Sequence, residues 1–143
     1  MTSFEVPVRW QDLDALGHVN HAVYLSYFEE QRDSWLHEHL TLSGNDYVVV
    51  RVEIDYAIAV SLRDGPVTVQ ASCANIGNSS VTIAATMRTR KGDLCATSRT
   101  IIALWDPDVA RTRQLTAPER ATLQALAAPD VTITDSISPI PSN

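Results

Sequence analysis

Phe4, Val6, Val8 and Trp10 alternate with Glu5, Arg9 and Gln11. This period of two predicts a half-buried strand, which Pro7 confines to an edge or an irregular position. A polar, turn-rich stretch follows from Asp12 to Asn20, and then the period changes. From about His21 to Leu40, Tyr24, Tyr27, Phe28 and Trp35 recur at helical spacings, with Glu29, Glu30, Arg32 and Asp33 mostly off that stripe. Asn20 stands where an N-cap would accept from the open amides of the first turn. His37 and His39 fall near the end of the predicted helix, where positive charge is tolerated.

Ser43-Gly44-Asn45-Asp46 closes the helix and a long strand is predicted over residues 47–59. Val48, Val50, Val52, Ile54, Tyr56 and Ile58 share one face of it, while Arg51, Glu53 and Asp55 share the other. Arg63-Asp64-Gly65-Pro66 is a turn, and Val67, Val69, Ala71 and Cys73 alternate after it. Residues 75–79 turn again, residues 80–90 form a strand, Lys91-Gly92-Asp93 is a hairpin loop, and a last long strand runs over 94–105. Thr116, Pro118 and Glu119 make a helix start, giving a short helix over about 117–127. Residues 129–143 hold three prolines and no periodicity, the composition of a disordered tail, so the folded domain is expected to span 1–128.

One long helix followed by four hairpin-connected strands predicts an α+β domain in which a curled antiparallel sheet wraps the helix. A single sheet covers only one side of such a helix, so a second subunit is expected to bury the rest. At 143 residues, 45% of them hydrophobic and 20% charged, the chain suits one domain with a substantial core.

A formal charge of −6 argues against nucleic acid or an anionic membrane as partner. No apolar run approaches the ~18–20 residues that span a bilayer. The first residues resemble no signal peptide. A cytoplasmic protein with Cys73 and Cys95 reduced and buried is therefore expected. Ten of the eleven basic residues are Arg, a type suited to phosphate contacts, although such a bias reads first as genome composition.

Functional residue types concentrate between Asp12 and Tyr24. Asp12, Asp14, Gly17, His18, Asn20 and His21 all precede the long helix. Open amides and the positive dipole end make a helix N-terminus a donor site for a carbonyl oxygen becoming an oxyanion. A carboxylate on the entering loop can approach the carbon of the same carbonyl, and Gly17 lets the backbone turn tightly there. The set suits acyl transfer to water, with a carboxylate as base or nucleophile. Taken alone, an Asp-x-Asp before a helix reads first as turn or capping residues, so Asp12 and Asp14 carry that reading too. His18 and His21 with an Asp could in principle ligate a metal, but the stronger His-Glu-x-x-His type of pattern is absent, and no metal is expected. Neither cysteine nor Ser79-Ser80 has the surroundings of a nucleophile.

Asp12-Leu13-Asp14-Ala15-Leu16-Gly17-His18-Val19-Asn20, followed by Tyr24-Leu25 and Tyr27-Phe28-Glu29, resembles the signature of the 4-hydroxybenzoyl-CoA thioesterase-like hotdog family. The resemblance continues more weakly to about Trp105. It implies a hotdog fold, homodimers or homotetramers, and hydrolysis of an acyl-CoA thioester without metal or cofactor, coenzyme A being part of the substrate. It makes Asp14 the catalytic carboxylate, with a backbone amide at about His21 polarising the carbonyl and Gly17 shaping the approach. Asp12 takes a supporting role, and His18 and Asn20 belong to the motif without a chemical step. Coenzyme A contacts are not defined by the motif. Arg88, Arg90 and Lys91 form the densest basic cluster and are the candidates for phosphate contacts, although a solvated hairpin tip reads the same way. A non-catalytic hotdog module that binds acyl-CoA or another hydrophobic ligand is the alternative.

Overall fold

The computed structural model describes residues 3–128. In chain order they form β1 (Phe4–Val6), α1 (Val23–Leu40), β2 (Tyr47–Tyr56), β3 (Val67–Ile76), β4 (Ser80–Arg88), β5 (Leu94–Asp106), β6 (Arg111–Thr112) and α2 (Ala117–Ala125). The strands make one antiparallel, curled sheet in the order β1-β3-β4-β5-β2, with β6 added to the end of β5. The expected α+β class is the one observed.

Alternation along β3, β4 and β5 builds the inner face. Val69, Met87 and Ala96 lie in one cross-strand row; Cys73, Ile83 and Thr100 lie in another. Against this face α1 buries Tyr24, Tyr27, Phe28, Trp35 and Leu36. The predicted aromatic stripe is therefore core. Losing a side chain such as Phe28, 2% exposed, costs about 3–5 kcal/mol. Thr116 caps α2 as its residue type predicts: its hydroxyl accepts from the Glu119 amide at 3.2 Å, and the Glu119 carboxylate takes the Thr116 amide at 2.9 Å.

Several expectations are corrected. Pro7 ends the first strand after three residues, and Trp10 lies in a short 3-10 turn, 79% exposed, away from Val6 and Val8. A bulge between Val49 and Arg51 changes the phase of β2, so Tyr47 and Val49 share the inner face with Val52, Ile54 and Tyr56. Val48 and Val50 do not belong to that face. The four later strands are not a simple meander either, because β2 pairs with β5 across the sheet while residues 57–66 carry the chain back to β3. The β6 pairing was not expected, and α2 ends two residues early.

Arg32, expected off the helix stripe, is only 7% exposed. Its guanidinium reaches Thr100 Oγ1 at 3.4 Å and lies near the Tyr47 phenol. Tyr47 donates to Asp33 Oδ1 at 2.5 Å. Burial and the bond to Asp33 push the Tyr47 phenol up to about 12. The stretch beyond Ala128 lies outside the described residues, and the expectation of a disordered tail falls there.

Candidate functional site

The loop between β1 and α1 is closed on itself before it enters the helix. Leu13 and Val19 form an antiparallel bridge, and the Asp14 amide donates to the His18 carbonyl at 2.7 Å. The reversal between them needs one left-handed residue, supplied by Gly17 at φ 77°. A Cβ at Gly17 would meet nothing within 4 Å, so the backbone angle is the reason for glycine, and the loop tip is open.

Asp14 is exposed on this loop. Its Oδ1 accepts from the amides of Leu16 at 2.9 Å and His18 at 3.2 Å. Both bonds end on the same oxygen, and none among the described residues ends on Oδ2. Asp12 is half-buried and differently held. Its Oδ2 takes the Tyr27 hydroxyl at 2.6 Å and the Arg9 amide at 3.0 Å, while its carbonyl takes the Asn20 amide at 2.9 Å. Asp12 ties the loop to the helix; Asp14 faces out. The Tyr27 phenol is held well above its ordinary value, first by burial and then by the bond to Asp12.

The helix entry departs from the expected cap. Asn20 is not the N-cap: α1 begins at Val23 after Ala22. Asn20 instead makes the turn ahead of it, its Oδ1 accepting from the Ala22 amide and its carbonyl from the Val23 amide, both at 2.9 Å. Those bonds use up the neighbouring donors. Among the described residues no acceptor takes the His21 amide, so a free donor remains at the helix entry. The Tyr56 hydroxyl donates to the His21 carbonyl at 2.8 Å.

Two further segments join this loop. Val19 donates to the Val60 carbonyl at 2.8 Å and His18 bridges Ser61. Leu62–Asp64 is a short 3-10 turn, and ahead of it the Ser61 amide and hydroxyl hold Asp64 Oδ2 at 2.7 and 2.8 Å. Those bonds keep the Asp64 carboxyl below its ordinary value, and Lys91 and Arg63 lower it further. The Arg90 amide donates to the Asp64 carbonyl at 2.8 Å. Arg63, Arg90 and Lys91 are thereby gathered beside the turn that holds His18. Arg88 is turned to its own hairpin, Nη1 on the Gly92 carbonyl at 3.2 Å.

Tyr27, Tyr56 and Arg63 were not among the sequence candidates. Only a tyrosine in an otherwise apolar helix stripe hinted at Tyr27, since a buried phenol wants a partner. Both cysteines are buried, and desolvation raises both thiols, that of Cys95 to about 12, which leaves them inert. Among the described residues no three His, Cys, Asp or Glu side chains converge as a metal site.

A curled antiparallel sheet with an 18-residue helix entered through such a loop is the hotdog arrangement. The chain belongs to the thioesterase-like superfamily, whose family model matches residues 8–130. Among solved structures it is similar to a predicted thioesterase from Bacillus stearothermophilus, at 25% identity over 88% of this chain and 96% of that one, with a TM-score of 0.79. It is also similar to a thioesterase from Thermus thermophilus complexed with coenzyme A and Zn, at 32% identity, 87% and 92% coverage, and a TM-score of 0.70. A hypothetical protein from Staphylococcus aureus, in complex with CoA, shares the fold at 16% identity, 92% and 87% coverage, and a TM-score of 0.77. No curated protein matches significantly.

Proposed function

We propose that the protein is an acyl-CoA thioesterase in which Asp14 is the catalytic carboxylate and the His21 amide polarises the thioester carbonyl. The observation that carries this reading is an exposed carboxylate, held through one oxygen by two amides, on the loop that leads to a helix entry with an unpaired amide. A carbonyl oxygen seated on that amide gains stabilisation as negative charge develops. Asp14 Oδ2 then either takes a proton from water, whose oxygen attacks the carbonyl carbon, or attacks that carbon itself to form an anhydride that water cleaves. In both routes the carbon–sulfur bond breaks and the CoA thiolate leaves and is protonated. A single turnover in 18O-water separates them, because only the anhydride route can label the Asp14 carboxylate.

Arg90, Lys91 and Arg63 are the candidate contacts for the CoA phosphates, since they supply local positive charge next to the His18 loop in an otherwise acidic chain. Arg88 supports the hairpin. No resident metal or cofactor is required by this chemistry. The narrower resemblance to 4-hydroxybenzoyl-CoA thioesterases puts aromatic acyl groups among the substrates to be tried. A cytoplasmic setting fits an acyl-CoA substrate.

The working unit in this reading is a homodimer or a homotetramer. Among the described residues the outer edge of β2 is unpaired, and Val48, Val49 and Val50 are exposed along it, Val50 at 63%. Such an edge is a template for a second chain. Antiparallel self-pairing centred on Val52 sets Arg51 opposite Glu53 of the second copy, a charge-matched register.

Thiol release across short, medium, long and aromatic acyl-CoAs, with and without a chelator, tests the proposal. Hydrolysis of at least one class, unchanged by chelation, is expected. Binding of acyl-CoA without thiol release would instead identify the non-catalytic module.

A further inference from the structure

The His21 amide has value as a donor only if its direction is fixed, yet it lies two residues ahead of the first helical residue, where helices fray. Two ties hold the segment. On one side Asn20 binds the amides of Ala22 and Val23. On the other, the Tyr56 hydroxyl donates to the His21 carbonyl at 2.8 Å across 35 residues of sequence. Tyr56 is itself well anchored. It ends β2 opposite Ala96, and the next two amides, Ala57 and Ile58, both turn onto the Cys95 carbonyl at 2.9 and 3.4 Å. Its ring stands edge-on to Tyr24, with centroids 5.0 Å apart at 80°. Tyr24 in turn lies beside the backbone of Val60, whose carbonyl holds the Val19 amide. The start of the helix is therefore referenced to the end of β2 and to residue 60.

We infer that Tyr56 is a positioning residue whose hydroxyl, through the His21 carbonyl, sets the direction of the His21 amide toward the reacting oxygen; this rests on the thioesterase reading above. A phenylalanine ring would pack on Tyr24 equally well, so packing alone gives no reason for the hydroxyl. The oxygen reaches a backbone carbonyl rather than a side chain, and it does so at a residue whose amide has no acceptor among the described residues. A donor that must act as charge develops is worth most when it needs no reorganisation at that moment. Loss of one such tie acts on turnover more than on substrate affinity.

Tyr56→Phe keeps the ring on Tyr24 and removes only the hydroxyl. It is expected to lower kcat about 3–10-fold, the range one hydrogen bond spans, with KM within about two-fold of the parent value. Exchange of the Ala22 and Val23 amides, followed by NMR, is expected to quicken at least about three-fold while global protection stays the same. Tyr56→Leu removes ring and hydroxyl together and is expected to lose stability as well. If Tyr56→Phe keeps parent kcat while only Tyr56→Leu loses it, the role is packing and the inference is overturned. Unchanged exchange in Tyr56→Phe also overturns it. If the parent protein releases no thiol from any acyl-CoA, the thioesterase reading fails, and the exchange comparison still decides whether the hydroxyl orders the helix entry.

Discussion

Tyr27→Phe removes one oxygen from the centre of the molecule and tests how the catalytic loop is held. The ring stays in the core, where it is 4% exposed. What is lost is the 2.6 Å bond to Asp12 Oδ2. Hydrogen bonds to charged acceptors contribute about 1.5–3 kcal/mol. Asp12 is only half-buried and keeps the Arg9 amide at 3.0 Å, so water can take the freed lone pair, and the low end, about 1.5 kcal/mol, applies. An unfolding entropy near 2.1 cal/mol/K per residue makes 1 kcal/mol worth about 3 °C in a chain of 143 residues. Tm should therefore fall by about 5 °C, and the urea midpoint should fall without a change of slope. Combining Tyr27→Phe with Asp12→Asn should recover most of the second loss, a coupling of about 1 kcal/mol. A Tm within about 1 °C of the parent, or additive losses in the double variant, would refute the claim that this bond fastens the loop.

Three further outcomes follow from the same structure. Tyr24 and Tyr47, whose phenols are raised from 10.0 to about 12, each by burial above all, stay protonated in the fold after unfolded phenols have ionised. The stability they supply is complete below pH 10 and is lost between about pH 10 and 12, which alkaline unfolding curves will show. At the acid end, Glu119 is lowered chiefly by its bond to Arg113, the pair meeting through bonds of 2.7 and 3.0 Å. Its contribution is present above its ordinary value of 4.5 and is lost as pH falls through the lowered one. Glu119→Gln should thus cost about 0.5–1 kcal/mol at neutral pH and flatten the acid limb. Arg63→Glu together with Lys91→Glu should raise KM for acyl-CoA about ten-fold or more, and do so less at high salt. It should leave KM for the matching pantetheine thioester, which lacks the nucleotide phosphates, unchanged. Equal effects on both thioesters would remove these residues from the phosphate contacts.

Local pattern made much of the fold legible. The aromatic stripe of α1, the alternation of β3 to β5 and the Thr116–Glu119 capping box each depend on neighbours within a few residues, and each appears as read. What escaped was set at long range. The β2 bulge at Val50 is invisible in a run of valines, because only pairing with β5 reveals the phase. Arg32 looked like a surface residue until Tyr47 and Thr100 came to meet it from two strands. In the site, the cluster of functional residue types was visible, as was the need for glycine at position 17. The division of labour between the carboxylates was not, since Asp12 is defined by a tyrosine fifteen residues on and Asp14 by amides two and four residues on. Tyr56 reaches His21 from the far edge of the sheet, a distance no motif spans.

The most direct test of the central claim is turnover of the best acyl-CoA by Asp14→Asn beside Asp12→Asn. Asparagine keeps the acceptor oxygen that binds the Leu16 and His18 amides, so the loop should persist and Tm should change little. Loss of a carboxylate base or nucleophile should lower kcat at least about 10²-fold in Asp14→Asn. Asp12→Asn, which weakens the tie to Tyr27, should instead show in stability first. Parent-level thiol release by Asp14→Asn would contradict the account.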